Sequence, residues 1–488
     1  MSGNSNASNW YASVKPPCFN VQVLFIAAMS PTNATSEHRL PTDVKPIHYN
    51  LTIRTDLDKL VFDGVVIISL DIRQSTDTIV LNSFGLTLGK ASATPYEPEG
   101  SCVAETKQIV YDHNKQVAFQ FPNEFRAGSK VKLQVGFSAH IGDGMFGYHR
   151  STWELDGRTK YYALTQFAPV DARRAFPCWD EPALKATFTI TQISRTNTTN
   201  ISNMPVVEEK AASAQDYSYL SEHSLPLDFG WKVTRYETTP LMSTYLVAFA
   251  NGEFAHLETS VTMPLSGRTI PLRMYTTQDI IHQAHFALEV KAKVLPIYEE
   301  IFQVEYPLPK LDTLVASDSD GGAMENWGLI TGATRAFLID PNNADIQAKR
   351  IITKIMSHEV GHMWFGNITT MEWWDYLYLN EGQILVARFP SKNTKVPLTG
   401  FATLVSSVDI ISEVMFAYRS RVQMGNTFIL GGKPSSLPPS SLSAVLILSE
   451  LDRWAELYLC NLALTNWAEH TPNSNRILHS STNMLVLR

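Results

Sequence analysis

Two histidines four residues apart with a glutamate between them, His358-Glu359-Val360-Gly361-His362, are the side chains of this sequence best placed to do chemistry. On a helix, residues four apart stand one turn above each other, so both imidazoles can reach one ion. Glu359, one position on from His358, is rotated by about 100° and can face a water beside the ion instead of the ion itself. The five-residue pattern also describes an ordinary helix with two satisfied histidines. A third donor changes the balance. Glu381 lies nineteen residues after His362, in Trp373-Trp-Asp-Tyr-Leu-Tyr-Leu-Asn-Glu381, where Trp374, Leu377, Tyr378 and Glu381 share a helical face. Two His and one Glu leave a fourth position open, the donor set of a catalytic rather than a structural zinc site. Nitrogen and oxygen donors suit zinc, and spacing alone leaves cobalt and manganese open.

Such a site needs elements to hold it. Pro341 and Asp345 supply start signals, and a helix is predicted from about residue 344 to 365, with Gly366 as its stop. Ile351, Ile352, Ile355 and Met356 give that helix an apolar side, so it should lie in a core. Upstream, Ile281, Ala284, Ala287, Val290 and Val294 recur three or four apart, a helical period. Between His38 and about Glu253 the pattern is different: short runs alternate apolar and polar residues, and Gly, Pro, Asn and Asp separate them. Residues 49–53, 65–70, 117–121, 131–135 and 187–190 read as half-buried strands. A β-rich first domain follows, with its boundary near residues 253–260. Gly142-Asp-Gly-Met-Phe-Gly147 fits GxGxxG literally, but no helical pattern comes after it, so it reads as a turn. After Gly382 the character shifts again, through the low-complexity run Ser435-Ser-Leu-Pro-Pro-Ser-Ser-Leu-Ser to a stretch from Pro472 without clear period. Residues 446–464 could hold helical pieces. The expected division is a leader over 1–37, a β domain over 38–253, a partial catalytic domain over 254–382 and a divergent tail over 383–488.

Composition narrows the classes. The chain has 488 residues, 44% hydrophobic, 10% aromatic and 18% charged, which excludes disorder for most of it. A net charge of −7 argues against a nucleic-acid partner, which calls for a basic patch or stripe. No apolar run reaches the roughly 18 residues of a spanning helix. Cys18, Cys102, Cys178 and Cys460 are far apart, without a CxxC, so a reducing compartment and a cytoplasmic location are expected. The apolar run at 23–29 is a poor signal-peptide core, since its n-region carries only Lys15; read as a targeting segment it would imply a secreted or organellar protein instead. Sequons at Asn6, Asn33, Asn50, Asn197, Asn200 and Asn367 would matter only after secretion.

One further motif discriminates among zinc hydrolases: Gly321-Gly-Ala-Met-Glu-Asn-Trp327, whose Glu325 lies 33 residues before His358. Taken with the HExxH and with Glu381 after eighteen intervening residues, it resembles the gluzincin aminopeptidases. Leu40-Pro-Thr-Asp-Val-Lys-Pro46 and Asp171-Ala-Arg-Arg-Ala-Phe-Pro-Cys-Trp-Asp-Glu-Pro182 resemble the puromycin-sensitive branch of that family, including its fungal cytosolic members. The resemblance covers about residues 38–382. It implies a multidomain α+β fold, in which an N-terminal β-rich saddle domain precedes a mainly helical thermolysin-like zinc domain that is incomplete at its C-terminal end. It also implies that His358, His362 and Glu381 hold one Zn2+, and that Glu359 is general base and later proton donor. Glu325 would bind the free α-amine of a peptide substrate, which makes the reaction an exopeptidase one. The backbone of Gly322, Ala323, Met324, Glu325 and Asn326 would pair with the peptide as an added strand. Gln166, in Thr165-Gln-Phe-Ala-Pro169, would line the first side-chain pocket. Without its neighbours Glu325 would read as a solvated loop carboxylate, and Asp318-Ser-Asp320-Gly321 has too few acids for a calcium loop. Trp364, Phe365, Trp373 and Trp374 read as plain core before they read as walls of a site.

Some positions depart from the family. Ala168 stands where a Glu or Gln commonly helps to bind the amine. Gly361 and Met363 replace Ala-like and Gln residues, and a mid-helix Gly costs about 1 kcal/mol relative to Ala; Tyr376 and Tyr378 also vary. The family's oxyanion-stabilising tyrosine has no counterpart in matching context, Tyr418 and Tyr458 being the tyrosines after Gly382. The tail from Gln383 reads as an altered or out-of-frame ending. Three functions are therefore open: an active zinc aminopeptidase, a truncated inactive homologue that binds peptides or partners without turnover, and an epoxide-hydrolysing relative of the leukotriene type. The first-domain motifs favour the peptidase branch.

Overall fold

The computed structural model describes residues 39–97, 99–213, 230–317, 322–342, 344–377 and 379–381. The leader over 1–37, the calcium-loop candidate at 318–321, Tyr378 and the tail, with its tyrosines and its helical pieces, lie outside the described residues.

Alternating side chains build the first region. Among the described residues, the largest sheet runs from Val206–Ala211 through Trp231–Tyr236, Thr187–Arg195, Val44–Asp56, Val61–Ile72, Lys130–His140 and Ser92–Glu97 to Val103–Ala104. Thr87–Leu88 adds to Lys130–His140. Val44–Asp56 pairs in parallel with Thr187–Arg195, with His48 opposite Thr187. A three-stranded sheet (Thr76–Asn82, Gln116–Phe125, Lys107–Tyr111) packs into the same core. Every run expected to be a strand lies in one of these strands. The GxGxxG stretch is a turn leading directly into the strand Gly147–Leu155.

The Asp171–Pro182 motif has a structural explanation. Its Arg173 Nε donates to Asp180 Oδ2 at 2.8 Å with both side chains buried, and the Trp179 amide donates to the Tyr49 hydroxyl at 3.0 Å. Tyr49 in turn stacks on Phe188 with ring centroids 4.7 Å apart. The motif thus pins a loop onto the central strands of the sheet.

A four-stranded sheet (Gly147–Leu155, Arg158–Gln166, Phe249–Gly252, Thr199–Ser202) follows, and the chain passes from it at Gly252 into a second, mixed sheet at Ala255. The order there is Ala255–Thr262, Thr269–Thr276, Leu311–Ala316, Leu329–Ala333, Ala323–Met324. Helices α1 (His285–Phe302), α2 (Thr334–Phe337) and α3 (Ile346–Gly361) accompany it. Among the described residues this second region is therefore sheet and helix together rather than mainly helical. Every residue of Leu311–Ala316 and of Leu329–Ala333 is buried, so these strands lack the alternation by which a strand is read from sequence.

The site-bearing helix α3 starts at Ile346, two residues after the expected start, where the Asp345 side chain accepts from the Ala348 amide at 2.7 Å as its cap. It ends sooner than expected, at Gly361. The amides of Met363 and Trp364 bond to Val360 O and Gly361 O, each at 3.2 Å, so residues 362–365 tighten into a turn. Gly361 therefore closes the helix instead of interrupting it, and the cost of an interior glycine falls away. Ile352, Met356 and Val360, spaced four apart, are buried, whereas Ile351, about 100° round the helix, is 50% exposed and does not belong to the apolar side.

Candidate active site

His362 caps the end of α3, and its orientation is set by its own turn. Nδ1 lies 2.9 Å from the carbonyl of Phe365, which can only accept, so Nδ1 carries the hydrogen and the Nε2 lone pair faces the site. Gly366 makes that turn possible. Its φ is +128°, and a Cβ there would stand 3.2 Å from His362 Nδ1. A T-shaped aromatic contact from Phe302 to Phe365 and a bond from Trp364 Nε1 to Val304 O (2.9 Å) hold the turn against α1 and the residues after it. Trp364 and Trp374 are buried in the main core, and Phe365 and Trp373 pack against it, as their spacing suggested.

Glu381 arrives on a short segment. The chain makes a 3-10 turn over Trp374–Tyr376 and is helical at Leu377 and again over residues 379–381. Its carboxylate Oε2 lies 3.2 Å from His358 Nε2 and 3.4 Å from His362 Nε2, and the two Nε2 atoms are 3.0 Å apart. Three lone-pair donors this close repel one another unless a positive charge sits among them. A tetrahedral ion with bonds of about 2.05 Å places its ligand atoms about 3.3 Å apart, so the observed triangle fits three corners of such a shell and leaves one corner free.

The electrostatics agree. His362 is pushed up to about 10: burial opposes its charge, but Glu325 and Glu381, with a smaller contribution from Glu359, outweigh burial, so a proton and a metal cation compete for the Nε2 lone pair. Burial would raise Glu381, yet His362 and His358 hold its carboxyl well below the usual range. Glu325 is raised, first by burial and then by Glu381, with His362 opposing. A buried pocket with this surplus of carboxylate is one that a divalent cation stabilises.

Glu325 follows the last strand, Ala323–Met324, of the five-stranded mixed sheet. Ala323 and Met324 pair with Gly332 and Thr331 at the end of the strand order, so among the described residues the other side of this strand is an open edge. The Leu329 amide closes the following turn on Asn326 O at 3.0 Å. Asn326 is fully buried with Nδ2 on Thr331 Oγ1 at 3.0 Å, which makes its side chain a brace of the turn, while Gly322 is exposed. Glu359 is 4% exposed and lies within the field of His362. Gln166 ends the strand Arg158–Gln166 half-buried, and among the described residues its hydrogen bond is local, to Ala168 O at 3.5 Å.

Four residues around the site escaped the sequence reading. Tyr245 is buried, donates to Gly366 O at 3.2 Å and accepts from Asn380 Nδ2 at 3.4 Å; burial, then Glu325 and Glu381, raise its hydroxyl. Asn380 also accepts from the Met371 amide at 3.1 Å, which orients the residue next to Glu381. Lys185 Nζ donates to the carbonyls of Asn367 and Ile368 at 3.3 and 3.2 Å. Asn367 was visible only as a sequon. It is fully buried and Asn200 is buried too, so among the described sequons only Asn50 and Asn197 are exposed.

Two histidines at the end of α3 and a glutamate from a later segment, close enough to hold a metal ion and flanked by an open-edged strand with a buried Glu just past it, are the arrangement of a gluzincin site. Residues 45–246 match the Peptidase M1 N-terminal domain and residues 286–409 match the Peptidase family M1 domain. The chain belongs to peptidase family M1. It is 40% identical over 347 residues to Aminopeptidase M1 of Arabidopsis thaliana, an alignment covering 71% of this chain and 37% of that protein. Identity is 37% to Aminopeptidase 2 of Candida albicans (70% and 34% covered) and 37% to Endoplasmic reticulum aminopeptidase 2 of Bos taurus (74% and 36%). The chain thus spans about a third of the length of these relatives.

Proposed function

We propose that this chain is a zinc-dependent aminopeptidase that removes single residues from peptides with a free N-terminus. The observation that carries the reading is the buried Glu325 carboxylate, within the field of the His358–His362–Glu381 triad and next to an open strand edge. His358, His362 and Glu381 would hold the ion. Zinc bound there would lower the pKa of a water toward about 7 and polarise the scissile carbonyl. Glu359 would take the proton of the attacking water and hand it to the leaving amine as the C–N bond breaks. Glu325 would pair with the substrate ammonium, and the backbone of 322–326, whose strand edge is Ala323–Met324, would hydrogen-bond its main chain. A peptide anchored at its amine can advance only one residue toward the ion, so cleavage stops there. Gln166 would line the first side-chain pocket.

The finer assignments are part of the same proposal: a saddle-like β domain over 38–253 and a thermolysin-like zinc domain from 254, for which α3 and its mixed sheet are the support. Cytoplasmic residence belongs to the same proposal; among the described residues Cys102 and Cys178 carry free thiols. No helix among the described residues is long and apolar enough to cross a membrane. The reading is tested by comparing one peptide with a free and with an acetylated N-terminus, on protein of measured zinc content. The free peptide should lose its first residue and the acetylated one should persist; equal cleavage of both refutes an exopeptidase.

A further inference from the structure

We infer that Asn367 is a positioning residue that ties the amine anchor Glu325 to the metal ligands, and so sets the distance between them. The inference rests on the aminopeptidase reading above. Its basis is one loop with two duties. Phe365 O receives His362 Nδ1 at 2.9 Å, which aims a metal ligand. Two residues on, the fully buried Asn367 donates from Nδ2 to the main-chain carbonyl of Glu325 at 2.9 Å. That carbonyl belongs to the first residue past the ladder, which ends at Met324 opposite Thr331, so Asn367 supplies a partner that no strand provides. The loop itself is clamped from elsewhere in the fold. Lys185 holds the carbonyls of Asn367 and Ile368, Tyr245 holds that of Gly366, and the Gly366 amide closes on Thr369 O at 2.7 Å.

The consequence is geometric. A substrate residue occupies about 3.3–3.6 Å of chain, so the span from anchor to ion must be held to a fraction of that for one-residue register. A displacement of about 1 Å in such a site can cost about 10²-fold in rate. Without the Asn367 amide, Glu325 stays in the pocket but its Cα is free to drift relative to His362.

The test uses the full chain carrying zinc, as Asn367→Ala and as the milder Asn367→Ser. Three quantities are measured: zinc affinity by chelator competition, kcat and KM on a leucyl reporter, and calorimetric binding of leucinamide against N-acetyl-leucinamide. Both variants should keep zinc affinity within threefold of the parent. Their preference for the free amine should fall at least tenfold, with the loss in KM larger than that in kcat. Variants that keep the parent's amine preference overturn the inference alone. Loss of zinc affinity in step with amine preference, in both variants, also overturns it, because Asn367 would then hold the whole site rather than the anchor. A parent chain that binds the two amides alike overturns the anchor reading, and the inference falls with it.

Discussion

The turn that follows Glu325 depends on a buried lysine, and removing that lysine is the most direct stability test. Lys310 Nζ donates to Ser202 O at 2.7 Å, to Gly328 O at 2.8 Å and to Asp312 Oδ2 at 2.8 Å, and the Lys310 and Asp312 side chains are each 4% exposed. Gly328 has little freedom of its own: its φ is +84°, and a Cβ there would lie 2.3 Å from Asn203 O. Lys310→Ala therefore deletes three charge-assisted bonds and strands the Asp312 carboxylate in the core. Breaking a buried pair costs about 3–5 kcal/mol. Arg273 Nη1 remains 3.7 Å from Asp312 Oδ1 and offsets part of that, which puts the expected loss near the lower end, about 3 kcal/mol. Lys310→Met with Asp312→Asn removes both charges at once. It should lose about 1–2 kcal/mol, the worth of the bonds to Ser202 O and Gly328 O, of which Gly328 O keeps the Asp312 amide at 3.0 Å. Urea unfolding followed by tryptophan fluorescence reads both, since buried Trp327 adjoins the turn. Hydrogen exchange should quicken at the amides of 323–329 in the single variant. A cost for Lys310→Ala under about 1 kcal/mol, or as small as that of the double variant, would show that Lys310 does not hold this turn.

Other consequences follow from single side chains. Lys291 is buried with Nζ on Arg273 O at 2.8 Å and Thr313 Oγ1 at 3.0 Å, and burial, reinforced by Lys310 and Arg273 against the pull of Asp312, lowers it to about 7. Its unfolded value is 10.5, so between about 7 and 10.5 the unfolded chain binds the extra proton and stability rises with pH; Lys291→Met should flatten that rise in a comparison of denaturation midpoints. Glu359→Gln should keep zinc and fold while lowering peptidase turnover by about 10²–10⁴-fold. Activity within a few-fold of the parent would remove Glu359 as base, and loss of zinc would contradict the ligand set. Tyr245→Phe takes a donor from Gly366 O and an acceptor from Asn380; it should cost about 1 kcal/mol and weaken zinc severalfold in chelator competition, and an unchanged affinity would reduce Tyr245 to packing.

What the sequence by itself determined is what short-range geometry controls. His358 and His362 meet because they are one helical turn apart, Asp345 caps their helix because its side chain reaches the Ala348 amide, and the run at 142–147 is a turn that leads into a strand, in keeping with the lack of a helical pattern after it. Alternation in 49–53 or 131–135 exposes a half-buried strand for the same reason: neighbouring side chains point to opposite faces. Glu381 was legible because a third carboxylate at that spacing fits an ion, and Glu325 because its neighbours match a known motif. Tertiary structure alone decided the rest. The strands Leu311–Ala316 and Leu329–Ala333 are buried on every residue, so no period marks them, and among the described residues the second region holds more sheet than the sequence pattern shows. The α-helical ladder ends at Gly361 because the next residues tighten onto Val360 and Gly361 to let His362 turn. Tyr245, Lys185 and Asn367 reach the site across 121, 182 and 42 residues of chain. Nothing local distinguishes a tyrosine that will hold Gly366 from one that packs in a sheet, because the partner that gives it a role exists only once the sheets and α3 have come together.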